Sequence, residues 1–285
     1  MVLQRHSRRF LATILLGGTL SLAGCKPDAA VKDPGVIGRG SKEPAPPAPD
    51  APAASVAAGS GDTASAPIDA SGSIAGTILF NGKPPAGSID TSQDPACSLG
   101  SKPRLPVEQY AAKNGKLANV FVYVKSGPPE AMQQNSNAFT QAVVLDQKNC
   151  QYLPHVIGVM QGGFVEFRNS DPTMHNVHVN PTDIGNQTID ISIGPRGQPL
   201  SKQFLRPELM IPVRCNNHPW MNAFINVSAT PYFAVSDANG HFELRGLPPG
   251  NYVIGAVHEI MGQKTMEVRV ESHAASKAEF GFTLQ

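Results

Sequence analysis

The sequence has little charge and almost no surplus of either sign. Charged residues make up 16% of its 285 positions, and the formal net charge is +1. Proteins that grip nucleic acid by its phosphates present a basic surface, so this balance argues against a nucleic-acid partner. The sequence also lacks the run of about 20 apolar residues that an ordinary membrane-spanning helix requires. These two absences remove two broad classes of function.

Long amphipathic helices are also missing. Only 107–114 and 130–135 have a helical pattern, whereas 27 Gly and 26 Pro supply many turns. Short alternating segments recur between turn dipeptides such as Asn239-Gly240, which favours an all-β sandwich architecture. The predicted strands are 73–80, 118–124, 142–146, 156–160, 163–169, 176–180, 203–204, 208–215, 223–229, 232–236, 241–244, 252–259, 265–271 and 278–284.

Residues 1–24 are typical of a secretory signal. Three arginines and no acidic residue occupy positions 1–9, and positions 10–23 are apolar or small. The Leu-Ala-Gly before Cys25 resembles a bacterial lipobox, which implies that Cys25 is lipidated and becomes the mature N-terminus. The alternative is an ordinary signal followed by a chance cysteine. The lipobox interpretation predicts an extracytoplasmic protein anchored to a membrane, periplasmic or at the cell surface. Lys26, in place of aspartate, favours the outer membrane if there are two.

Residues 25–72 are predicted to form a disordered linker behind the lipid. Residues 26–72 contain no aromatic side chain and are dominated by Ala, Pro, Gly, Ser and Asp. Such a composition cannot bury enough apolar surface to offset the entropy of ordering. A flexible chain of this length has an end-to-end span on the order of 40 Å. Either the length of the linker matters for connecting the lipid to the folded part of the chain, or the linker is a spacer whose length has no importance.

One short motif carries most of the chemistry. Cys215, His218 and Met221 stand at Cys-x2-His-x2-Met spacing, and His175 lies about forty residues upstream. Two imidazoles and one thiolate with a weak thioether form the ligand set of copper electron-transfer sites. Soft sulfur favours Cu(I) and nitrogen accommodates Cu(II), so a fixed compromise geometry needs little rearrangement between the two states.

The segments around this motif resemble the cupredoxins, most closely the amicyanin and plastocyanin type. The short loop with Pro219 after the second histidine is one part of the resemblance. The run from Gly163 to Asp171 into His175 is the other. The resemblance covers about 142–228 and implies a Greek-key β-sandwich. It also implies one type 1 copper ion. The in-plane ligands would be His175, Cys215 and His218, and the axial ligand would be Met221.

Four neighbouring side chains are predicted to do something other than bind metal. His178 lies three residues from His175, so an extended strand points it to the opposite face. Asn176 is expected to hydrogen-bond across to the Cys215 loop and steady the thiolate. Trp220 is expected to pack under the loop, and His155 is interpreted as structural.

Two rival uses of the same ligands remain open. Two histidines and a cysteine with an open position also suit zinc, although an axial methionine is then hard to explain. A copper store or chaperone would show repeated Met or Cys clusters, and the 8 methionines form none.

Cys97 and Cys150 remain once Cys25 is lipidated and Cys215 is a ligand. Outside the cytoplasm such an even remainder favours a disulfide. The alternative is two buried thiols.

The C-terminal residues 229–285 resemble the carboxypeptidase regulatory-like domain, a small sandwich with a transthyretin-like or carbohydrate-binding-like fold. The resemblance rests on Asp237-Ala238-Asn239-Gly240-His241-Phe242 and on Leu247-Pro248-Pro249-Gly250 before Tyr252. No His-Glu-x-x-His motif accompanies it, so we predict no catalytic residues. His258-Glu259 is interpreted as a pair on an edge strand.

The regulatory-like sandwich is short, and its usual opening strands have counterparts upstream. Gly72–Ile78 and Val120–Val124 match them, so we favour a split domain. In that division 73–141 supplies its first strands, 142–228 is the inserted cupredoxin, and 229–285 completes it. The alternative is two consecutive domains.

Three functions compete. The first is a one-electron carrier with an unknown redox partner protein, which is not an enzyme. The second is a surface lipoprotein whose C-terminal domain binds a glycan or protein, with copper ancillary. The third is a copper oxidoreductase subunit, which a fourth ligand at Met221 disfavours because it leaves little room for substrate.

Overall fold

The structure is a computed structural model that describes residues 70–98, 104–133 and 141–284. The predicted signal segment, Cys25 and nearly all of the predicted linker lie outside the described residues. In the described ranges no helix is long and apolar enough to cross a membrane. The prediction of an all-β fold is confirmed, since strands dominate and the helices are single turns.

The strands fall into three groups along the chain. The first group is β1 Gly72–Asn81, β2 Ser88–Asp90, β3 Arg104–Pro106, β4 Ala112–Lys113, β5 Lys116–Leu117 and β6 Phe121–Ser126. The second is β7 Val143–Lys148, β8 Gln151–Leu153, β9 Val156–Met160, β10 Phe164–Asn169, β11 His175–Val179, β12 Ile189–Ile193, β13 Leu200–Gln203, β14 Glu208–Arg214 and β15 Asn222–Ser228. The third is β16 Phe233–Val235, β17 His241–Leu247, β18 Gly250–His258, β19 Gly262–Val270 and β20 Ala275–Thr283. The short helices are α1 Pro95–Ser98, a 3-10 turn Glu108–Tyr110 and α2 Pro129–Met132.

Strands β7–β15 form what we call the central sandwich. One sheet has the order β13-β10-β7-β8 and the other β12-β11-β14-β15-β9. Their inward side chains alternate along the strands and meet in one buried cluster that contains Phe167, Val213 and Ile225, all fully buried. Cys215 and Met221 belong to the same cluster, so two of the candidate ligands are part of this core.

The remaining long strands form the flanking sandwich, built from both ends of the described chain. β1 pairs with β17 in antiparallel fashion and with β20 in parallel fashion. β6 lies between β16 and β18. Ile74 and Ile78 from β1 are therefore buried in one cluster with Phe282 from β20. This pairing is what the split interpretation requires, and the division into domains itself stays a prediction.

The two sandwiches meet through a small apolar cluster and a buried polar pair. Phe121, Val156 and Val257 are buried there. Beside them His155 Nε2 lies 2.5 Å from Glu259 Oε1, with side chains 4% and 2% exposed. His155 therefore has the partner that sequence reasoning did not find.

The interpretation of His258-Glu259 as an edge-strand pair is wrong. β18 lies between β6 and β19, so it is an interior strand. His258 Nδ1 instead accepts the backbone N–H groups of Ile260 and Met261. Glu259 lies in the turn that follows β18, and its carboxylate, rather than the His258 ring, contacts His155.

Most of the first helical candidate, 107–114, is not helical. Only the 3-10 turn Glu108–Tyr110 is helical, and the chain then enters the β4–β5 hairpin. Asn114 and Gly115 turn that hairpin with φ of 53° and 71°, conformations that asparagine and glycine tolerate best. Of the second helical candidate, 130–135, residues 130–132 lie in α2.

Candidate metal centre

The candidate ligands come from one strand and from the loop that follows its neighbouring strand. His175 is the first residue of β11, and the Cys215–Met221 loop joins β14 to β15. β11 pairs with the end of β14, which places His175 beside the start of the loop. The loop is closed by hydrogen bonds from Cys215 N–H to the Met221 carbonyl (3.2 Å) and from Met221 N–H to the His218 carbonyl (2.9 Å).

His175, Cys215 and His218 converge in the interior. One ligand atom from each lies within 4.8 Å of the others. The Nδ1 atoms of the two histidines are 2.9 Å apart, and Cys215 Sγ is 3.6 Å from His218 Nδ1. The residues are 0%, 3% and 3% exposed, and Met221 is 1% exposed. Three donors of mixed softness thus face one another in a place that solvent does not reach.

The thiol and one imidazole are already polarised. Burial raises the pKa of Cys215, but hydrogen bonds from His175, from Asn176 N–H and from His218 outweigh it and lower the pKa to about 6. Burial lowers the pKa of His175, but hydrogen bonds to Asp171 and Cys215 outweigh it and raise the pKa to about 9. Both pKa shifts favour a thiolate beside a protonated imidazole. A metal cation has the charge to replace that proton.

These residues fit a copper ion on the chemistry of the donor set. Two imidazole nitrogens and one thiolate can bind both Cu(II) and Cu(I). The Nδ1 atoms of the two histidines point toward the site because each Nε2 atom contacts an aspartate on the opposite side of the ring. Met221 is buried in the cluster that contains Cys215, which places a thioether residue in the same end of the core.

The structure gives defined contacts for the predicted supporting residues. Asn176 N–H donates to Cys215 Sγ at 3.3 Å, and its side-chain oxygen accepts Asn216 N–H at 3.4 Å. His178 is not part of the cluster: its side chain is 35% exposed and its Nδ1 lies 3.6 Å from Asp190. Trp220 packs on the loop with its ring centroid 5.1 Å from that of His218.

Two carboxylates were missed by sequence reasoning. Asp171 Oδ2 lies 2.9 Å from His175 Nε2, and Asp94 Oδ2 lies 2.7 Å from His218 Nε2. Asp171 stands four residues before His175, a spacing that could have been noticed. Asp94 is far from the motif in sequence, and nothing local marks it. Its hydrogen bond with His218 outweighs the opposing effect of burial and lowers its pKa.

Cys97 and Cys150 are joined in a disulfide, the pairing that the sequence favoured. Their Cα atoms are 5.6 Å apart, and both residues are buried. Cys150 also accepts the indole N–H of Trp220 on its carbonyl oxygen at 3.1 Å. The disulfide thus ties α1 to the β7–β8 turn beside the candidate site.

Comparisons with known proteins give weak matches to copper proteins. No family model matches the chain, and no curated protein does. Among solved structures, a mutant of amicyanin in the Cu(I) form is 20% identical, with a TM-score of 0.28 over 38% of this chain and 98% of that one. The Cu-containing nitrite reductase of Thermus scotoductus SA-01 is 17% identical, with a TM-score of 0.29 over 53% of this chain and 28% of that one. Likeness at this level carries no functional conclusion, which therefore depends on the residues of the site.

Proposed function

We propose that this protein is an extracytoplasmic copper protein that carries one electron at a time through a mononuclear centre. His175, Cys215 and His218 would bind the copper, and Met221 would supply a weaker thioether ligand. The observation that supports this most is the buried convergence of His175, His218 and Cys215, whose ligand atoms lie within 4.8 Å of one another. Copper held there would supply a one-electron Cu(II)/Cu(I) couple.

The protein's own residues would keep that centre rigid and dry. The two loop hydrogen bonds hold Cys215, His218 and Met221 at fixed separations, and Asn176 N–H holds the sulfur. Because the four candidate ligands are 3% exposed or less, water and small substrates have no direct access to them. That closure favours an electron carrier over an oxidoreductase that binds substrate on its metal.

The test is the visible spectrum of the purified protein after addition of Cu(II) and then ascorbate. We expect an intense band from charge transfer between the Cys215 thiolate and Cu(II), which bleaches on reduction and returns on reoxidation. Zinc gives no such band, so a protein that binds zinc tightly and stays colourless with Cu(II) contradicts the proposal.

Met221→Leu is expected to keep about one copper per chain and to raise the reduction potential. Loss of a weak donor removes more stabilisation from Cu(II) than from Cu(I). Redox titration followed at the visible band measures the change. His178→Ala is the control, since its ring is outside the cluster and the spectrum should stay as in wild type. If the leucine variant binds no copper, Met221 is needed for copper binding and does more than adjust the reduction potential.

We also propose that the protein is held on a membrane through lipidated Cys25 and delivers electrons to a protein partner. Several acyl chains bury many methylene groups at about 0.8 kcal/mol each, enough for stable attachment. Cys25→Ser should move the protein from the membrane fraction to the soluble fraction, or block its processing. A serine variant that is cleaved and fractionates like wild type refutes the anchor.

A further inference from the structure

Each candidate histidine ligand contacts a carboxylate on the side of its ring that faces away from the site. The Nδ1 atoms of His175 and His218 face each other, and each Nε2 atom contacts an aspartate on the outer side. With Nδ1 committed to the metal, Nε2 carries the ring proton and donates it in a hydrogen bond. Each imidazole is therefore fixed in tautomer and orientation by a group outside the motif.

Asp94 reaches His218 because a separate segment brings it there. We call residues 88–98 the strap. It begins with β2, which pairs with β3, and ends in α1, where Cys97 is bonded to Cys150. Cys97 N–H donates to the Asp94 carbonyl at 3.0 Å. The strap thus has one anchor before Asp94 and a covalent one after it.

The two oxygens of Asp94 have separate tasks. Oδ1 accepts Ala96 N–H at 2.7 Å and holds the turn of the strap. Oδ2 is then left to accept from His218 Nε2 at 2.7 Å. The Asp94 side chain is 30% exposed while the His218 side chain beneath it is 3% exposed, so the carboxylate lies at the solvent boundary of a closed site.

We infer that Asp94 is a positioning residue that fixes His218 and lowers the reduction potential of the copper centre, an inference that rests on the proposed function. A carboxylate that accepts the Nε2 proton gives the imidazole partial anionic character and makes Nδ1 a stronger donor. A stronger, more negative donor stabilises Cu(II) more than Cu(I). The strap therefore contributes to the redox properties of the centre through one hydrogen bond.

Asp94 is a cleaner test than Asp171. Asp171 also accepts the backbone N–H groups of Asn149 and Cys150, both at 2.7 Å, so its replacement would disturb the β7–β8 turn. In Asp94→Asn the amide oxygen can still accept Ala96 N–H, but the amide NH2 cannot accept from His218 Nε2. The substitution thus removes one interaction and keeps the other.

The experiment compares the reduction potentials of copper-loaded wild type, Asp94→Asn and Asp94→Glu by spectroelectrochemistry. Loss of an outer partner of a metal-bound histidine weakens metal binding about 10- to 100-fold. Where this weakening applies to Cu(II) alone, the reduction potential of Asp94→Asn rises by about 60 to 120 mV. The conversion is 59 mV for each tenfold loss of Cu(II) affinity in a one-electron couple. Asp94→Glu keeps a carboxylate on the strap and should lie closer to wild type.

Asp90→Asn is the matched control. It makes the same substitution on the same strap, but Asp90 is exposed and its Oδ1 accepts the nearby Ser92 N–H rather than a proton from a candidate ligand. Its potential should equal that of wild type. An Asp94→Asn potential equal to wild type, or an Asp94→Glu shift as large as the asparagine shift, overturns the inference. A wild-type protein that shows no reversible copper band overturns the proposed function as well, and so the two failures are distinct.

Discussion

Cys215→Ser should abolish the visible band of the copper-loaded protein and leave the fold intact. The band arises from charge transfer out of a thiolate, and a serine hydroxyl stays protonated and is a poor donor of that kind. Serine differs from cysteine by one atom, so the buried position is filled and the loop hydrogen bonds through the backbone remain. The expected change is loss of the whole band, not a shift.

Absorbance after Cu(II) addition measures the outcome, and circular dichroism with a thermal melt checks the fold. Asn217→Ser is the matched control, because its side chain is exposed on the same loop and the band should persist. A Cys215→Ser protein with an unchanged band would remove Cys215 from the site. Among the cysteines of the described residues Cys215 is the free one, so no other thiol there can replace it.

The loop that supplies three of the candidate ligands was predictable because its chemistry is local. Cys215, His218 and Met221 lie within seven residues, and a hairpin loop keeps residues that are close in sequence close in space. Placing His175 beside this loop required only one further strand pairing, that of β11 with β14. Asp94 could not be predicted, because it comes through a pairing of β2 with β3 and a disulfide, contacts that leave no periodic signal.

The strands were predictable where alternation extends over a half-buried segment. β12 was missed although Ile189, Ile191 and Ile193 alternate with polar residues as a half-buried strand should. The hairpin of β4 and β5 was missed because its strands have two residues each, too few for a pattern. The Asn114-Gly115 turn between them was the available signal, and it is a strong one for hairpins.

His155 shows a different limit. Its partner Glu259 is 104 residues away, and neither segment carries a pattern that names the other. A buried histidine needs a hydrogen-bond partner. Burial therefore predicts that a partner exists, but it does not identify the partner residue. The two residues meet because His155 directly precedes β9 and Glu259 directly follows β18.

Residues 229–285 expressed alone should be unfolded or aggregated. In the structure β1 pairs with both β17 and β20, and β6 lies between β16 and β18. The isolated fragment would therefore expose unpaired strand edges in both sheets, and such edges promote aggregation.

The fragment would also lose much of its core. Besides the small Ala131, seven larger side chains of the flanking-sandwich core come from outside 229–285, each 5% exposed or less: Ile74, Ile78, Phe80, Leu117, Val120, Val122 and Val124. At about 1.5 to 3 kcal/mol for each buried apolar side chain, their loss amounts to about 10 to 20 kcal/mol. That is as large as the whole stability of an ordinary domain, about 5 to 15 kcal/mol.

Amide dispersion in a two-dimensional NMR spectrum and a thermal melt measure the result. The matched control is residues 70–133 joined to 229–285 by a flexible Gly/Ser linker, which restores β1 and β6 and should melt cooperatively. A soluble isolated fragment with dispersed amides and a cooperative melt would show that the C-terminal strands fold without β1 and β6. The split interpretation would then be wrong, because strands that fold alone have no need of a partner segment from the other side of the central sandwich.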